Sequence, residues 1–156
     1  MPNWCTNHLT IKHADTLRLT EAQAAAERGE LLNYLKCPPT LDYDYDWCIQ
    51  NWGTKWDVNT DWVLLEDNCL EINADTAWTP PLQALKWAEA YEGFEIELYY
   101  MEPGAGFLGI MAGGHEEEWD WPHSRAEADV LLEKLPLEMI ANLGLVEEFN
   151  FLFSEE

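Results

Sequence analysis

Apolar and polar positions alternate at the start of the chain. Between Trp4 and Lys12, Asn7, Leu9 and Ile11 fall on one side and Thr6, His8, Thr10 and Lys12 on the other, which predicts a strand. The period then changes. Thr20 and Gln23 form a T-x-x-Q capping box, Ala24 to Ala26 favour helix, and Leu31, Leu32 and Leu35 supply an apolar face. One helix is therefore expected, carried through Gly29 and ended by Cys37-Pro38-Pro39. Thr40 to Asp61 holds no sustained period and reads as an ordered insertion, because five tryptophans between Trp47 and Trp78 are too many for a solvated loop. Val63 to Glu66 and Leu70 to Asp75 flank the turn dipeptide Asp67-Asn68, which predicts a hairpin with Leu70, Ile72 and Ala74 inward and Glu71, Asn73 and Asp75 outward.

A second helix is bounded by Thr79 as N-cap, Pro80 at the first helical position and Gly93 past the end, with Leu82, Leu85, Ala88 and Tyr91 as its buried face. From Phe94 to Met101, Phe94, Ile96, Leu98 and Tyr100 alternate with Glu95, Glu97 and Tyr99, the pattern of a half-buried strand with an acidic outer face. Glu102 to Gly106 is turn-forming, Phe107 to Ala112 returns as a partner strand, and Gly113-Gly114 closes it. Ser124 and Glu127 make a second capping box for a helix reaching about Leu135 and broken at Pro136. A short helix from Glu138 to Leu143 stops at Gly144, and Phe149, Phe151 and Phe153 alternate as a final strand. The order strand, helix, strand, strand, helix, strand is the split β-α-β pattern of ferredoxin-like folds. The expectation is one α+β domain over residues 1–156. Residues 1–114 would hold a ferredoxin-like antiparallel sheet with an extra strand and a Trp-rich insertion near 40–61, and residues 115–156 an acidic helical appendage.

Composition narrows the class of partner. At 156 residues the chain suits a single core, and 47% apolar residues with nine tryptophans argue against disorder. Thirty carboxylates against eight Lys and Arg leave a net charge of −22. That field repels nucleic acid and anionic membrane and selects basic protein surfaces, cations, or a ligand in a locally neutral pocket. No apolar run approaches the ~18 residues of a spanning helix and the N-terminus lacks signal character, so a cytoplasmic protein is expected. Cys5, Cys37, Cys48 and Cys69 contain no C-x-x-C pair and are expected as reduced, mostly buried thiols.

Candidate chemistry is sparse. His8 and His13 share no zinc-type spacing, Cys5 and His8 could join as ligands only with partners from elsewhere, and His115 beside Glu116, Glu117 and Glu118 reads as a surface histidine in an acidic loop. Asp42, Asp44 and Asp46 resemble the opening of a calcium loop, but the sixth position is Trp47 and the twelfth Gly53. An extended Leu41 to Trp47 segment with apolar and acidic faces fits better. There is no G-x-S-x-G elbow and no G-x-x-x-x-G-K loop. No catalytic residue, metal ligand or cofactor is assigned, and a non-enzymatic protein is expected. Trp4, Trp52, Lys55, Trp56 and Trp78 admit two readings: an aromatic minicore with Lys55 paired to an acid or stacked on a ring, or a pocket for a base or nucleotide. Nine carboxylates and no Lys or Arg lie in residues 89–120. Asp42, Asp44, Asp46, Glu95, Glu97, Glu116, Glu117, Glu118 and Asp120 are the expected partner-binding face. Glu95 and Glu97 would stand about 7 Å apart on one strand face, comparable to phosphates along a nucleic-acid strand, which suggests DNA mimicry.

Four blocks carry a family resemblance: Met1-Pro2-Asn3-Trp4-Cys5-Thr6-Asn7, Asn51-Trp52-Gly53-Thr54-Lys55-Trp56, Thr76-Ala77-Trp78-Thr79-Pro80-Pro81, and Tyr100-Met101-Glu102 followed by Gly104, Phe107 and Gly109. Together they resemble a family of phage and plasmid proteins with a YubB-type ferredoxin-like domain. The resemblance implies that fold and a life on mobile genetic elements, and offers no catalytic residues to carry over. Residues 111–156 lie outside it. In that setting the expected function is inhibition of a basic, nucleic-acid-handling host defence protein, of the anti-CRISPR or anti-restriction kind. The alternative is a ligand-binding module that sequesters a nucleotide or signal molecule in a Trp-lined pocket.

Overall fold

The computed structural model describes residues 3–155. Its elements run β1 (Trp4–Lys12), α1 (Thr16–Glu27), α2 (Leu31–Leu35), α3 (Tyr45–Asn51), β2 (Asn59–Glu66), β3 (Cys69–Ala77), α4 (Leu82–Tyr91), β4 (Glu95–Glu102), β5 (Phe107–Ala112), β6 (His115–Asp120), α5 (Arg125–Lys134), α6 (Leu137–Leu143) and α7 (Leu145–Leu152). The strands form one sheet in the order β2-β3-β1-β4-β5-β6, antiparallel throughout. The ferredoxin-like core is β2-β3-β1-β4 with its helical crossovers, and β5 and β6 extend the sheet beyond β4. Two strands are added where one was expected. Gly113 (φ +56°) and Gly114 (φ +79°) are the left-handed central residues of a two-residue hairpin turn, so the chain continues as β6. Residues 115–120, expected as an acidic loop opening a helical appendage, therefore belong to the sheet.

Strand alternation gives the sheet one face covered by α1, α2 and α4 and a second face covered in part, over β4 to β6, by α5 to α7. On the first face Leu9, Ile11, Leu70, Ile72, Ile96, Leu98 and Met111 pack beneath Leu19 and Ala22 of α1, Leu31, Leu32 and Leu35 of α2, and Leu85 and Ala88 of α4. On the second face Tyr99 and Leu108 pack with Trp121 beneath Leu131, Met139, Leu143, Leu145 and Phe149. Tyr99, expected to point outward into solvent, is thus buried, because α5 to α7 cover β4 to β6. Its hydroxyl donates to Glu138.

Several element boundaries differ from the expectation, each for a local reason. The first helix starts at Thr16, not at the Thr20 box, because the Asp15 carboxylate accepts from Leu17 N at 3.0 Å. Gly29, at φ +74°, ends it and makes α2 a separate helix. The free N–H groups of Leu32 and Asn33 are met at 2.8 and 2.9 Å by Asp57, from far along the chain. Asp44 caps α3 through Trp47 N at 3.1 Å, which turns the expected extended Leu41–Trp47 segment into a bend and a helix. Thr79 does not cap α4; its hydroxyl donates to Gly53 O, and the helix begins at Leu82 after both prolines. Tyr91 is exposed, and Ala84, Leu85 and Ala88 form the inward face. The expected strand over Phe149 to Phe153 is instead the end of α7 and its C-cap, Phe153. Phe149 and Phe153 are four residues apart and share a helix face, with Phe149 fully buried and Phe151 exposed. The hairpin at Asp67-Asn68, the Ser124 cap and the Gly144 stop stand as expected. All four cysteines are free, and only Cys5 and Cys48 are buried.

Candidate functional site

The sequence blocks that lie far apart in the chain meet at one end of the sheet. Trp78 N donates to Asn3 O at 2.9 Å, Thr54 Oγ1 to Ala77 O at 2.9 Å, and Thr79 Oγ1 to Gly53 O. Asn7, almost fully buried, donates through Nδ2 to Cys5 O, Ala74 O and Thr76 Oγ1 at 2.9 to 3.1 Å, and Thr76 Oγ1 donates onward to Thr79 O at 2.6 Å. Gly104 leaves room for the Asn3 and Glu102 side chains, which a Cβ there would meet at 2.9 and 3.0 Å. Met1 and Pro2 of the opening block lie outside the described residues. Glu102 is 1% exposed, and its Oε2 has no hydrogen-bond partner among the described residues. Burial, and next to it the Glu102 charge, pushes the Cys5 thiol far up.

This junction splits the aromatic group predicted as minicore or pocket. Trp52 belongs to the first core, with Nε1 donating to Lys36 O at 2.9 Å and its ring edge-on to Trp47. Trp4 (37% exposed), Trp56 (41%) and Trp78 (43%) remain at the surface. Trp4 and Trp56 lie 6.3 Å apart, and Lys55 Nζ sits 4.1 Å over the Trp56 ring, so Lys55 is stacked on a ring. Trp78 is held at φ +70°, a conformation that costs a bulky residue about 1–2 kcal/mol. Among the described residues, Trp4, Lys55, Trp56 and Trp78 lie outside the two clefts that flank β6. One, about 820 Å³, lies between the Pro103–Gly106 turn, the end of β6 and α5, and is lined by Trp119, Asp120, Trp121 and Leu131. A smaller one of about 280 Å³ lies between Thr79, Gln83, Tyr100, Phe107 and Glu118.

The carboxylates expected to share one face occupy three places. Asp42, Asp44 and Asp46 lie on the loop into α3 and its first turn, with Asp44 engaged as the cap. Glu95 and Glu97 are exposed on β4, on the side of the second face, with Glu95 opposite Lys12. In β6, Glu116, Glu118 and Asp120 stand opposite Met111, Gly109 and Phe107 and therefore project toward α4, where Lys86 reaches Glu116 at 2.9 Å. Glu117, opposite Ile110, projects to the other side, 3.2 Å from His115 Nε2. The expected single face is thus corrected: tertiary structure distributes these groups, and β6 is the densest array. Its strand character was missed because carboxylates on both sides erase the period-two apolar signal. The Gly113-Gly114 dipeptide, a hairpin former, was the signal that could have found it.

Two isolated groups complete the picture. Cys5 and His8 lie on opposite faces of β1, so they cannot share a metal. Among the described residues no group of three His, Cys, Asp or Glu is placed to hold a metal ion. His8 is buried with its ring edge-on to Trp62, the ring centroids 5.7 Å apart, and Nδ1 has no hydrogen-bond partner among the described residues; burial lowers its pKa against the opposing field of Glu71. Among the described residues no helix is long and apolar enough to cross a membrane.

Comparison with known proteins gives one match. Residues 46–135 match the ferredoxin-like domain in Api92-like protein. The match covers more than half of the chain, which belongs to this family. No curated protein and no solved structure matches it.

Proposed function

We propose that this member of the Api92-like ferredoxin-domain family acts by binding a basic, nucleic-acid-handling protein and occluding its nucleic-acid channel, without catalysing a reaction. The observation that carries the reading is β6, an outermost strand with four exposed carboxylates, Glu116, Glu117, Glu118 and Asp120. Of these, Glu116 is paired with Lys86 and Glu117 with His115. Side chains two residues apart on a strand are spaced by about 6.5–7 Å, so Glu116, Glu118 and Asp120 form a straight row of negative charge. Such a row steers a positively charged groove into contact and competes with the phosphates the groove normally holds. A mobile-element origin with a defence protein as target, acting in the host cytoplasm, is the biological setting that fits this chemistry.

The test is capture on the immobilised protein of components that a heparin column retains from a bacterial lysate, at low and high salt. A Glu116→Lys, Glu117→Lys, Glu118→Lys variant is run alongside. Capture that weakens with salt, is lost in the variant and is displaced by duplex DNA supports the reading. Capture of equal strength by the variant, or none at any salt concentration, overturns it.

A further inference from the structure

We infer that β6 receives an extended basic segment of the partner as a seventh strand, with Lys or Arg at alternate positions of that segment meeting Glu118 and Asp120. The inference rests on the acidic-binding reading above and adds how the partner is held.

The first observation is backbone geometry. β6 ends the sheet, so among the described residues one side of its backbone is unpaired. A two-residue turn at Gly113-Gly114 makes Ala112 and His115 a hydrogen-bonded pair, and strict alternation assigns Glu117 and Trp119 to the bonds with β5 as well. Trp121 N, donating to Gly106 O at 2.9 Å, continues the series. The N–H and C=O groups of Glu116, Glu118 and Asp120 therefore point outward, away from β5. The second observation is that the same residues carry the charge. Lys86 neutralises Glu116, and the ion pairs among the described residues leave Glu118 and Asp120 without a cation.

The third observation is the relief on either side of the edge. An added strand sends successive side chains to opposite faces, and recognition of that kind takes affinity from the backbone and specificity from pockets for alternate residues. On the α4 side Glu118 lines the cleft of about 280 Å³ with Tyr100 and Phe107. At the end of β6, Trp119 and Asp120 line the cleft of about 820 Å³. Charge decides the occupant. Like charges directly opposite each other across strands are destabilising, which excludes a second copy of β6, whereas opposite charges there are favourable. A nucleic acid strand is repelled by the same carboxylates.

The experiment uses the full chain and a synthetic octapeptide, Lys-Thr-Lys-Val-Lys-Thr-Lys-Val, followed by fluorescence anisotropy and by amide hydrogen exchange. Bound peptide is expected to slow exchange at Glu116, Glu118 and Asp120. Glu118→Pro removes one outward donor while sparing the bonds to β5, and is expected to weaken binding about fivefold to tenfold. Glu118→Gln keeps the donor and removes the charge, and is expected to weaken it about twofold to threefold, less at high salt. Peptide bound with no protection along β6, no binding at low salt, or equal affinities of the two variants overturns strand addition. Exchange on the unaltered chain decides the matter where Glu118→Pro does not fold. Loss of capture on charge reversal together with unprotected β6 amides would reject strand addition and leave the acidic-binding reading standing.

Discussion

Gly109 is the position where one methyl group tests the packing beneath β6. It lies in β5, opposite Tyr100 of β4 and Glu118 of β6. A Cβ built there falls on Cζ and Oη of the buried Tyr100 ring and comes within 2.8 Å of Glu117 O. The ring is rigid and the carbonyl belongs to the β6 ladder, so neither yields without moving a core side chain or the edge strand. Overpacking of this kind costs about 1–3 kcal/mol, and alanine recovers about 0.5–1 kcal/mol by restricting the unfolded chain. Contacts this short place the overpacking cost in the upper part of that range, about 2–3 kcal/mol, so Gly109→Ala should lose about 1–2.5 kcal/mol, which for a chain of this size lowers Tm by about 2–10 °C. Urea denaturation followed by tryptophan fluorescence measures it. Tyr100→Ala vacates the ring volume, so the same glycine substitution should cost less in that background, with a coupling of about 0.5–3 kcal/mol across the double-mutant cycle. A Gly109→Ala protein as stable as the parent, or an identical cost in both backgrounds, would refute the packing argument.

Phe149 is fully buried against Trp121 at 5.2 Å, so Phe149→Ala should cost about 3–5 kcal/mol in urea denaturation. A cost under about 1 kcal/mol would mean that α5 to α7 are a loosely attached appendage. Because burial lowers the pKa of His8, its contribution is fully present above the ordinary histidine range and is lost as pH falls through the depressed folded-state value. The slope for this one proton is at most about 1.4 kcal/mol per pH unit. Asp57 and Asp75, whose pKa values burial raises, act in the opposite sense at more acidic pH. The difference between parent and His8→Phe, measured by thermal melts from neutral pH to pH ~5, isolates the histidine; curves that stay parallel would contradict its burial as the neutral form. Ser124→Ala removes the bond its Oγ accepts from Glu127 N at 3.2 Å and should cost about 0.5–2 kcal/mol, read by thermal denaturation.

Much of the fold was legible because local physics and tertiary structure agree. The alternation over Trp4–Lys12 marked β1 because one side faces a helix layer and the other side is partly wet. Asp67-Asn68 marked its hairpin because both residues adopt positive φ, at 51° and 59°. Gly144 marked a helix end for the same conformational reason. The failures were cases in which a pattern served two geometries. Phe149, Phe151 and Phe153 fit period two, yet Phe149 and Phe153 also fit a helix, and only the core beneath them selects the second. Asp57 caps α2 from a distance that no sequence window contains.

By itself, then, the sequence determined the strand-helix order of the ferredoxin-like core, the number and sign of the charges, and the residues of four blocks whose small and hydrogen-bonding side chains bring chain segments together. Tertiary structure alone decided where those features stand. It sent Trp52 to the core and left Trp4, Trp56 and Trp78 at the surface, covered Tyr99 with helices, and divided the nine expected carboxylates among the start of α3 with the loop before it and two strands. It also made Glu116, Glu118 and Asp120 the outer edge of a sheet. The physical reason is that local conformation follows from neighbours in sequence, whereas burial, register and the free edge of a sheet depend on which distant segments pack against each residue.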